Sequence, residues 1–578
     1  MTGRVTNGPA PGGPPASDDT SPIELGLNEA GGDVRDVEPS LVRSSAVVAV
    51  GTMLSRITGF ARIAALAYAL GVTALAGTYS YANETPNIVY ELLLGGVLTA
   101  TLVPLFVRHH EERDDDAASA IFTVAILALL AVTVLGVILA PVIVRLYTLN
   151  VHAKNLAEQR ELATQLLRLF MPQMLFYGIV TLATAMLNAR RHFLAAAFAP
   201  VLNNLVVIVV FLALPHIADG SLSVDHVVND NALLLLMGVG TTAGVIVMAV
   251  ALLPAMSRAR VHLRFLPQWR HPAVVTMVRL SGWTVGYVIA NQIALFVITV
   301  LANGTSGGPF IYVSAYAFFQ LPHGLFAVSL MTTFTPEMAS AATRNDLAAM
   351  RSQLSSGLRL IALVIIPASA LYIGLGRPII VTLLQRGAFN AGDAAIVADT
   401  LVAFAVGLLP FSIYLFALRV FYARHDTYTP FWINCIENGV NIALAFPLYA
   451  WLGVPGLALS FAIAYLVAAV LTLVVLHQRL HGIDGARITS TLVRAGIAGV
   501  VVGVVSWMAA EAIGWSTTLE AVASLVAGSV AGALVYVVLL RVMRVEELDR
   551  VLALVPGLRS FARAPRDGPQ RPRTPSRV

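Results

Sequence analysis

Residues 44–70 read SSAVVAVGTMLSRITGFARIAALAYAL, an apolar run interrupted by only two charges, Arg56 and Arg62. A spanning helix needs roughly 20 apolar residues at about 1.5 Å each, so this stretch is long enough to cross a bilayer. Two guanidiniums carried into hydrocarbon mark a pathway or a site. Composition extends the same reading to the whole chain. Of its 578 residues 57% are hydrophobic and 12% charged, against about 25% charged in soluble domains. So few charges cannot coat a water-soluble surface.

The expected fold is an all-α polytopic membrane protein with about fourteen transmembrane helices. They are placed at about 44–70, 79–107, 117–147, 161–188, 193–216, 231–256, 273–302, 309–339, 353–384, 394–423, 429–451, 455–477, 489–513 and 519–541. Residues 1–42, rich in Gly, Pro, Asp and Ser, read as a disordered tail without a signal-peptide pattern, and 546–578 read as a second tail. The connections alternate in charge. One set holds Arg108, Arg113, Arg190, Arg191, Arg258, Arg260, Arg264, Arg270, Arg344, Arg351, Arg424, Arg479 and Arg487. The other holds only Lys154, Arg160 and Arg386, with Asp219, Asp225 and Asp230 in one loop. The positive-inside rule makes the basic set cytoplasmic. Both termini then lie inside, which requires an even number of spans.

Two stretches repeat. Asn188-Ala189-Arg190, followed by Pro200 and Asn204, is matched by Tyr422-Ala423-Arg424, followed by Pro430 and Asn434. Pro86-Asn87 with Pro104 is echoed by Pro322-His323 with Pro336. Each echo falls six expected spans later. This implies two six-helix lobes related by a pseudo-repeat around a central cavity, plus two extra C-terminal helices. The expected divisions are 43–270, 271–480 and 481–545, the last forming a lipid-tail groove.

Arg56 and Arg62 lie about 9 Å apart along their helix and about 120° apart around it. A straight helix cannot aim both at one point, so a bend at Gly59 is expected. Arginine suits phosphate, because its planar fork donates paired hydrogen bonds. Glu84 and Glu91, seven residues apart, share one face of the next helix, either as partners of the arginines or as proton or cation sites. Arg419 and Glu437 are expected to pair across two helices. Asn203, Asn204, Asn438 and Asn441 bridge helices, and His323 is either hydrogen-bonded or titrates in the cavity.

Other chemistry is excluded. Lys154 is the only lysine and does not follow a Gly-rich loop, so there is no P-loop and no ATP hydrolysis by that route. The lone Cys435 rules out an internal disulfide or a cysteine metal cluster. No zinc spacing or nucleophile motif is present, so the chain reads as no enzyme, with no metal and no cofactor. The net charge of +5 is explained by loops facing anionic lipid, with no nucleic acid.

Ser55-Arg56-Ile57-Thr58-Gly59-Phe60-Ala61-Arg62, Pro86-Asn87, Leu102-Val103-Pro104, Phe319-Gln320-Leu321-Pro322-His323-Gly324, Thr335-Pro336-Glu337-Met338, Arg386-Gly387-Ala388-Phe389 and Val420-Phe421-Tyr422-Ala423-Arg424 stand in order along about 43–545. Together they resemble the MurJ (MviN) family of lipid II flippases, within the multidrug/oligosaccharidyl-lipid/polysaccharide exporter superfamily. The resemblance implies a V-shaped cavity between two lobes in the cell inner (cytoplasmic) membrane. It implies flipping of an undecaprenyl-diphosphate-linked peptidoglycan precursor to the outer leaflet, with membrane lipid and cell-wall synthesis proteins as partners. Arg56 and Arg62 fall on the family's diphosphate-binding cavity arginines. The family's helix-2 arginine falls on Tyr90, beside Glu91, and its helix-8 arginine on Ala317. Acidic positions of helices 2 and 7 fall on Gly77 and Ile298. A flippase for another polyprenyl-diphosphate-linked glycan, a cation-coupled small-molecule exporter, and a non-transporting scaffold for wall synthesis are the other readings.

Overall fold

The structure is a computed structural model that describes residues 37–90, 106, 115–190, 192–280, 282–545 and 547–548. The described elements are helical: α1 (Val37–Leu70), α2 (Ala74–Tyr90), α3 (Asp115–Tyr147), α4 (Leu156–Phe170), α5 (Gln173–Ala189), α6 (Phe193–Ile217), α7 (Val224–Asn229), α8 (Asn231–Val250), α9 (Leu253–Arg258), α10 (Pro272–Leu280), α11 (Gly282–Ala302) and α12 (Gly308–Pro322). A π-helical turn (His323–Ala327) leads into α13 (Val328–Thr343), followed by α14 (Leu347–Leu384), α15 (Ala391–Val406), α16 (Leu408–Ala423), α17 (Tyr428–Leu452), α18 (Val454–Arg479), α19 (Gly485–Ile513) and α20 (Thr518–Val542). Among the described residues ten spans are long and apolar enough to cross a membrane, or eleven with the bent pair α15–α16 counted as one. Three of the fourteen expected spans do not meet that test. The one at 79–107 continues outside the described residues, the side chains of α11 are described only from Gly286 to Ala302, and α17 is interrupted by Asn434, Glu437, Asn438 and Asn441.

Local chemistry explains where the elements depart from expectation. α1 already includes Val37, inside the expected tail. α2 starts at Ala74, five residues early, because the Thr73 hydroxyl accepts from the Ala76 N–H at 3.3 Å. The expected span 309–339 contains a π turn. Pro322 lacks an N–H, which frees the Phe318 carbonyl, and the Tyr372 hydroxyl of α14 donates to it at 2.7 Å. The span at 394–423 bends by 45° at Gly407. There a Cβ would lie 2.7 Å from the Ala462 backbone, so α18 approaches only because the residue is glycine.

The helices pack as two groups. α1 lies along α6, α6 on α8, and α2 on α4. In the second group α11 lies on α17, α17 on α18, and α12 and α18 on α15. α19 and α20 pack on each other and on α14. That seam is built from small residues: a Cβ at Gly374 would meet the Gly503 carbonyl at 2.5 Å, and one at Gly528 would meet Leu375.

Several contacts join the two groups at one end of the molecule, where α1 and α3 finish. The Ala388 N–H donates to the Tyr68 carbonyl at 2.9 Å. The Val72 N–H donates to Asp393 Oδ2 at 3.1 Å. Asn150 donates to the Leu301 carbonyl at 3.1 Å, and Asn303 to the Tyr147 carbonyl at 2.9 Å. Gly307, at φ +69°, lets its loop press on Val72. These connections all belong to the sparsely charged set.

Asp393→Ala removes the Val72 acceptor. A Ser80→Cys reporter in a Cys435→Ser background is expected to react faster with an impermeant maleimide once that acceptor is gone; an unchanged rate would show that the contact does not hold this end shut. Packing gives a second test. A Cβ at Gly357 would lie 2.0 Å from the buried Phe416 ring, whereas one at Gly439 meets nothing within 4 Å. Gly357→Val is expected to destabilise the protein by about 1–3 kcal/mol, read as a fall in unfolding midpoint in detergent, while Gly439→Ala leaves the midpoint in place.

Candidate functional site

Arg56 and Arg62 sit on one unbroken α1, and both are half-buried. Gly59 does not break the helix. Its flank faces α6 instead, where Asn204 donates to the Ser55 carbonyl at 3.2 Å and to Thr58 Oγ1 at 3.1 Å. Arg56 packs on the π turn of the second helix group: a Cβ on Gly324 would lie 2.6 Å from its guanidinium nitrogen. The glycine is what admits it. Beside it the Phe60 and Phe318 rings meet edge-on at 5.0 Å. Arg62 lies six residues further along α1 and forms no ion pair with another described residue.

A cavity of about 380 Å³ lies between the groups. Its walls include Glu84 from α2, Asn291 and Gln292 from α11, Tyr312 from α12, and Glu437 and Asn441 from α17. Neither Arg56 nor Arg62 is among its lining residues. Glu84 accepts from Asn87 at 3.1 Å and, among the described residues, forms no ion pair with either arginine. In place of a pairing with Arg56 or Arg62, Glu84 keeps this local bond, while Arg56 packs on Gly324. Tyr90 closes the described part of α2, and Glu91 lies outside the described residues.

The cavity wall on α11 and α17 is an amide ladder. Asn291 and Asn434 exchange hydrogen bonds at 3.2 and 3.3 Å, and Asn438 donates to the Asn434 carbonyl at 2.9 Å. Asn441 accepts from Ser460 at 2.9 Å. Asn438 also donates to Asn291 Oδ1 at 3.4 Å, so that it and Asn441 join α17 to α11 and α18 as expected. Asn291 was not anticipated, although an Asn-Gln pair inside an apolar span was its visible signal. The expected Arg419–Glu437 pair does not form. Glu437 is 1% exposed on the cavity side of α17, while Arg419 is exposed on α16. His323 is hydrogen-bonded, Nδ1 to Ser412 Oγ at 3.0 Å, with its ring edge-on to Phe411 at 4.7 Å. Among the described residues no group of three His, Cys, Asp or Glu side chains is placed to hold a metal.

Comparison with known proteins follows this geometry. The family model described as lipid II flippase MurJ matches residues 66–530. A probable lipid II flippase MurJ of Rhizobium tropici is 29% identical over 447 residues, covering 76% of this chain and 82% of the relative. One from Vibrio cholerae is 26% identical, covering 77% and 84%. Among solved structures, a lipid II flippase MurJ in an inward closed conformation superposes with TM-score 0.71 at 21% identity, covering 88% of this chain and all of that one. An inward-facing multidrug resistance transporter of the MATE family superposes with TM-score 0.61 at 14% identity, covering 76% and 99%.

Asn291→Leu leaves the buried Asn434 Oδ1 without its donor. It is expected to cost about 1–3 kcal/mol, measured as a lower unfolding midpoint, and the double variant Asn291→Leu/Asn434→Leu to recover part of the loss.

Proposed function

The chain belongs to the MurJ family of lipid II flippases, and we propose that it carries the undecaprenyl-diphosphate-linked disaccharide-peptide across the inner membrane to the outer leaflet by alternating access. The family is one of transport rather than catalysis. The observation that carries the reading within this chain is Arg56. Its half-buried guanidinium stands at the seam between two helix groups with no carboxylate partner among the described residues. An unpaired charge in a membrane is costly unless water or a ligand solvates it, and a diphosphate supplies the oxygens that a guanidinium fork binds.

In this reading the basic loops and both termini are cytoplasmic, residues 43–270 and 271–480 are the two rocking lobes, and 481–545 is the appended pair of helices. The hydrogen-bonded end is then the outer one, held shut while the cytoplasmic side takes up substrate. The apolar trough between α14, α15 and α19, lined by Ile373, Gly499 and Trp507, fits the polyprenyl tail. Arg62, Glu84, Tyr90 and Glu91 belong to the path of the head group. Without a nucleotide-binding loop, the cycle runs on a gradient or on the substrate's own distribution.

One observation favours a second reading. The cavity presents Glu84 and Glu437 rather than arginines, as suits a cation-coupled exporter of MATE-like fold.

Reconstitution separates the two. Proteoliposomes bearing the full chain should flip lipid II, and Arg56→Ala should abolish flipping while the protein inserts and unfolds as the wild type does. Flipping at the wild-type rate by Arg56→Ala would remove the diphosphate role. Failure of the wild type to flip, together with dye efflux that Glu84→Gln abolishes, would favour the exporter.

A further inference from the structure

The apolar trough between α14, α15 and α19 encloses about 550 Å³. On α14 it is walled by Ile366, Ala370 and Ile373, and on α19 by Val500, Val504 and Trp507. Two close approaches fix how the three helices lie in register. A Cβ at Gly374 would lie 3.1 Å from the Trp507 backbone nitrogen of α19, and one at Gly376 would lie 3.0 Å from Val402 of α15. Each wall ends in a charge. Arg377 is four residues beyond Ile373, Glu511 is four beyond Trp507, and Asp399 is seven before Val406, the α15 wall residue. Spacings of four and seven keep a side chain within about 40° of the one it follows. Arg377, Asp399 and Glu511 therefore rim one end of the trough. It is the end toward Leu384 and Asn390, the side on which hydrogen bonds join the two helix groups.

The rim is turned outward. Arg377 Nη2 donates to both oxygens of Asp399, at 3.3 and 3.5 Å, and the two side chains are 45% and 55% exposed. This contact is long and uses one nitrogen, so the rest of the guanidinium fork is unspent among the described residues. An exposed pair of this kind is worth little, and either member can take a better partner. Glu511 is exposed and forms no ion pair with another described residue. It lies in the last turn of α19, so the rim stands where the spans leave the hydrocarbon, at the depth of lipid head groups. One guanidinium beside two carboxylates suits a diphosphate poorly. A head group with one phosphate and one ammonium finds a partner for each charge.

We propose that the trough and its rim form a site for one aminophospholipid, a phospholipid whose head group ends in a primary ammonium. One acyl chain lies in the trough, the phosphate takes the unspent donors of Arg377, and the ammonium sits against Asp399 and Glu511. The site is separate from the central chamber, with which it shares no lining residue. It rests on the trough as a chain-binding surface and not on the identity of the transported head group. Under the flippase reading the phospholipid fills the trough while no polyprenyl tail is there, and the two chains take it by turns.

The test measures binding of phosphatidylethanolamine and phosphatidylglycerol, with the same acyl chains, to the purified full-length chain by native mass spectrometry. The wild type is expected to prefer phosphatidylethanolamine by about fivefold, the effect of one exposed charge-assisted contact. Asp399→Asn combined with Glu511→Gln should bring that ratio to one or below. Arg377→Gln should weaken binding of both lipids, phosphatidylglycerol the more. A Cβ at Gly496, a trough residue far from the rim, meets nothing within 4 Å. Gly496→Leu therefore has room to project into the trough, and should weaken both lipids while leaving their ratio in place. Phosphatidylcholine, whose quaternary ammonium donates no hydrogen bond, probes the same contact on the wild type and should bind more weakly than phosphatidylethanolamine. Equal binding of the three lipids by the wild type, or a preference that survives loss of both carboxylates, would overturn the head-group assignment. Phosphatidylethanolamine binding untouched by Gly496→Leu would overturn the placement of the chain. Neither result bears on lipid II flipping by the wild type, which is read separately in proteoliposomes.

Discussion

A charge inside a bilayer must be solvated by protein, by water or by a ligand, because lipid cannot do it. Much of this fold can be understood from how it meets that demand at Arg56. α1 is tied to α6 through Asn204, which fixes the rotation of the helix. The guanidinium is then received by a glycine in the neighbouring helix group, where any side chain would exclude it. That glycine sits in a π turn, and the turn follows Pro322, whose freed carbonyl partner is satisfied by Tyr372. One charged side chain thus draws together a proline, a glycine, a tyrosine and an asparagine from four elements.

The ionisable groups within the membrane are segregated. Arg56 and Arg62 are absent from the cavity walls, whose charged and amide groups are Glu84, Glu437, Gln292 and three asparagines. An acidic, amide-rich chamber does not hold a diphosphate by itself. In the proposed cycle the anion is gripped at the seam beside the chamber, and the chamber receives the sugar and peptide, whose hydroxyls and amides match Asn and Tyr side chains.

The closed end is held differently, by backbone groups and amides with one carboxylate, Asp393. Such bonds are individually modest in the presence of water. They can be exchanged for water without stranding a charge, which suits a contact that must open and re-form. Asp393 also closes the capping box of α15, so the contact is built on the first turn of a helix rather than on a free loop.

The helices were legible in sequence because apolar length and helical satisfaction of the backbone are the same requirement in lipid. The family was legible too, since its motifs are turns, prolines and arginines that read locally. Thr73 as a cap and the π turn after Pro322 were present as residues but not as geometry. What residue order could not decide was rotation. A helix with two arginines 120° apart does not say which faces the seam, and equal spacing allowed Glu84 to pair with either or with neither. Only the packing of α1 on α6 chose, turning Arg56 toward Gly324. Likewise Arg419 and Glu437 were plausible partners along the chain, and the tertiary fold parted them. The reason is physical: apolar sequence specifies that a helix lies in the membrane, whereas the direction of each polar side chain is set by small residues and amides on neighbouring helices, far away in the chain.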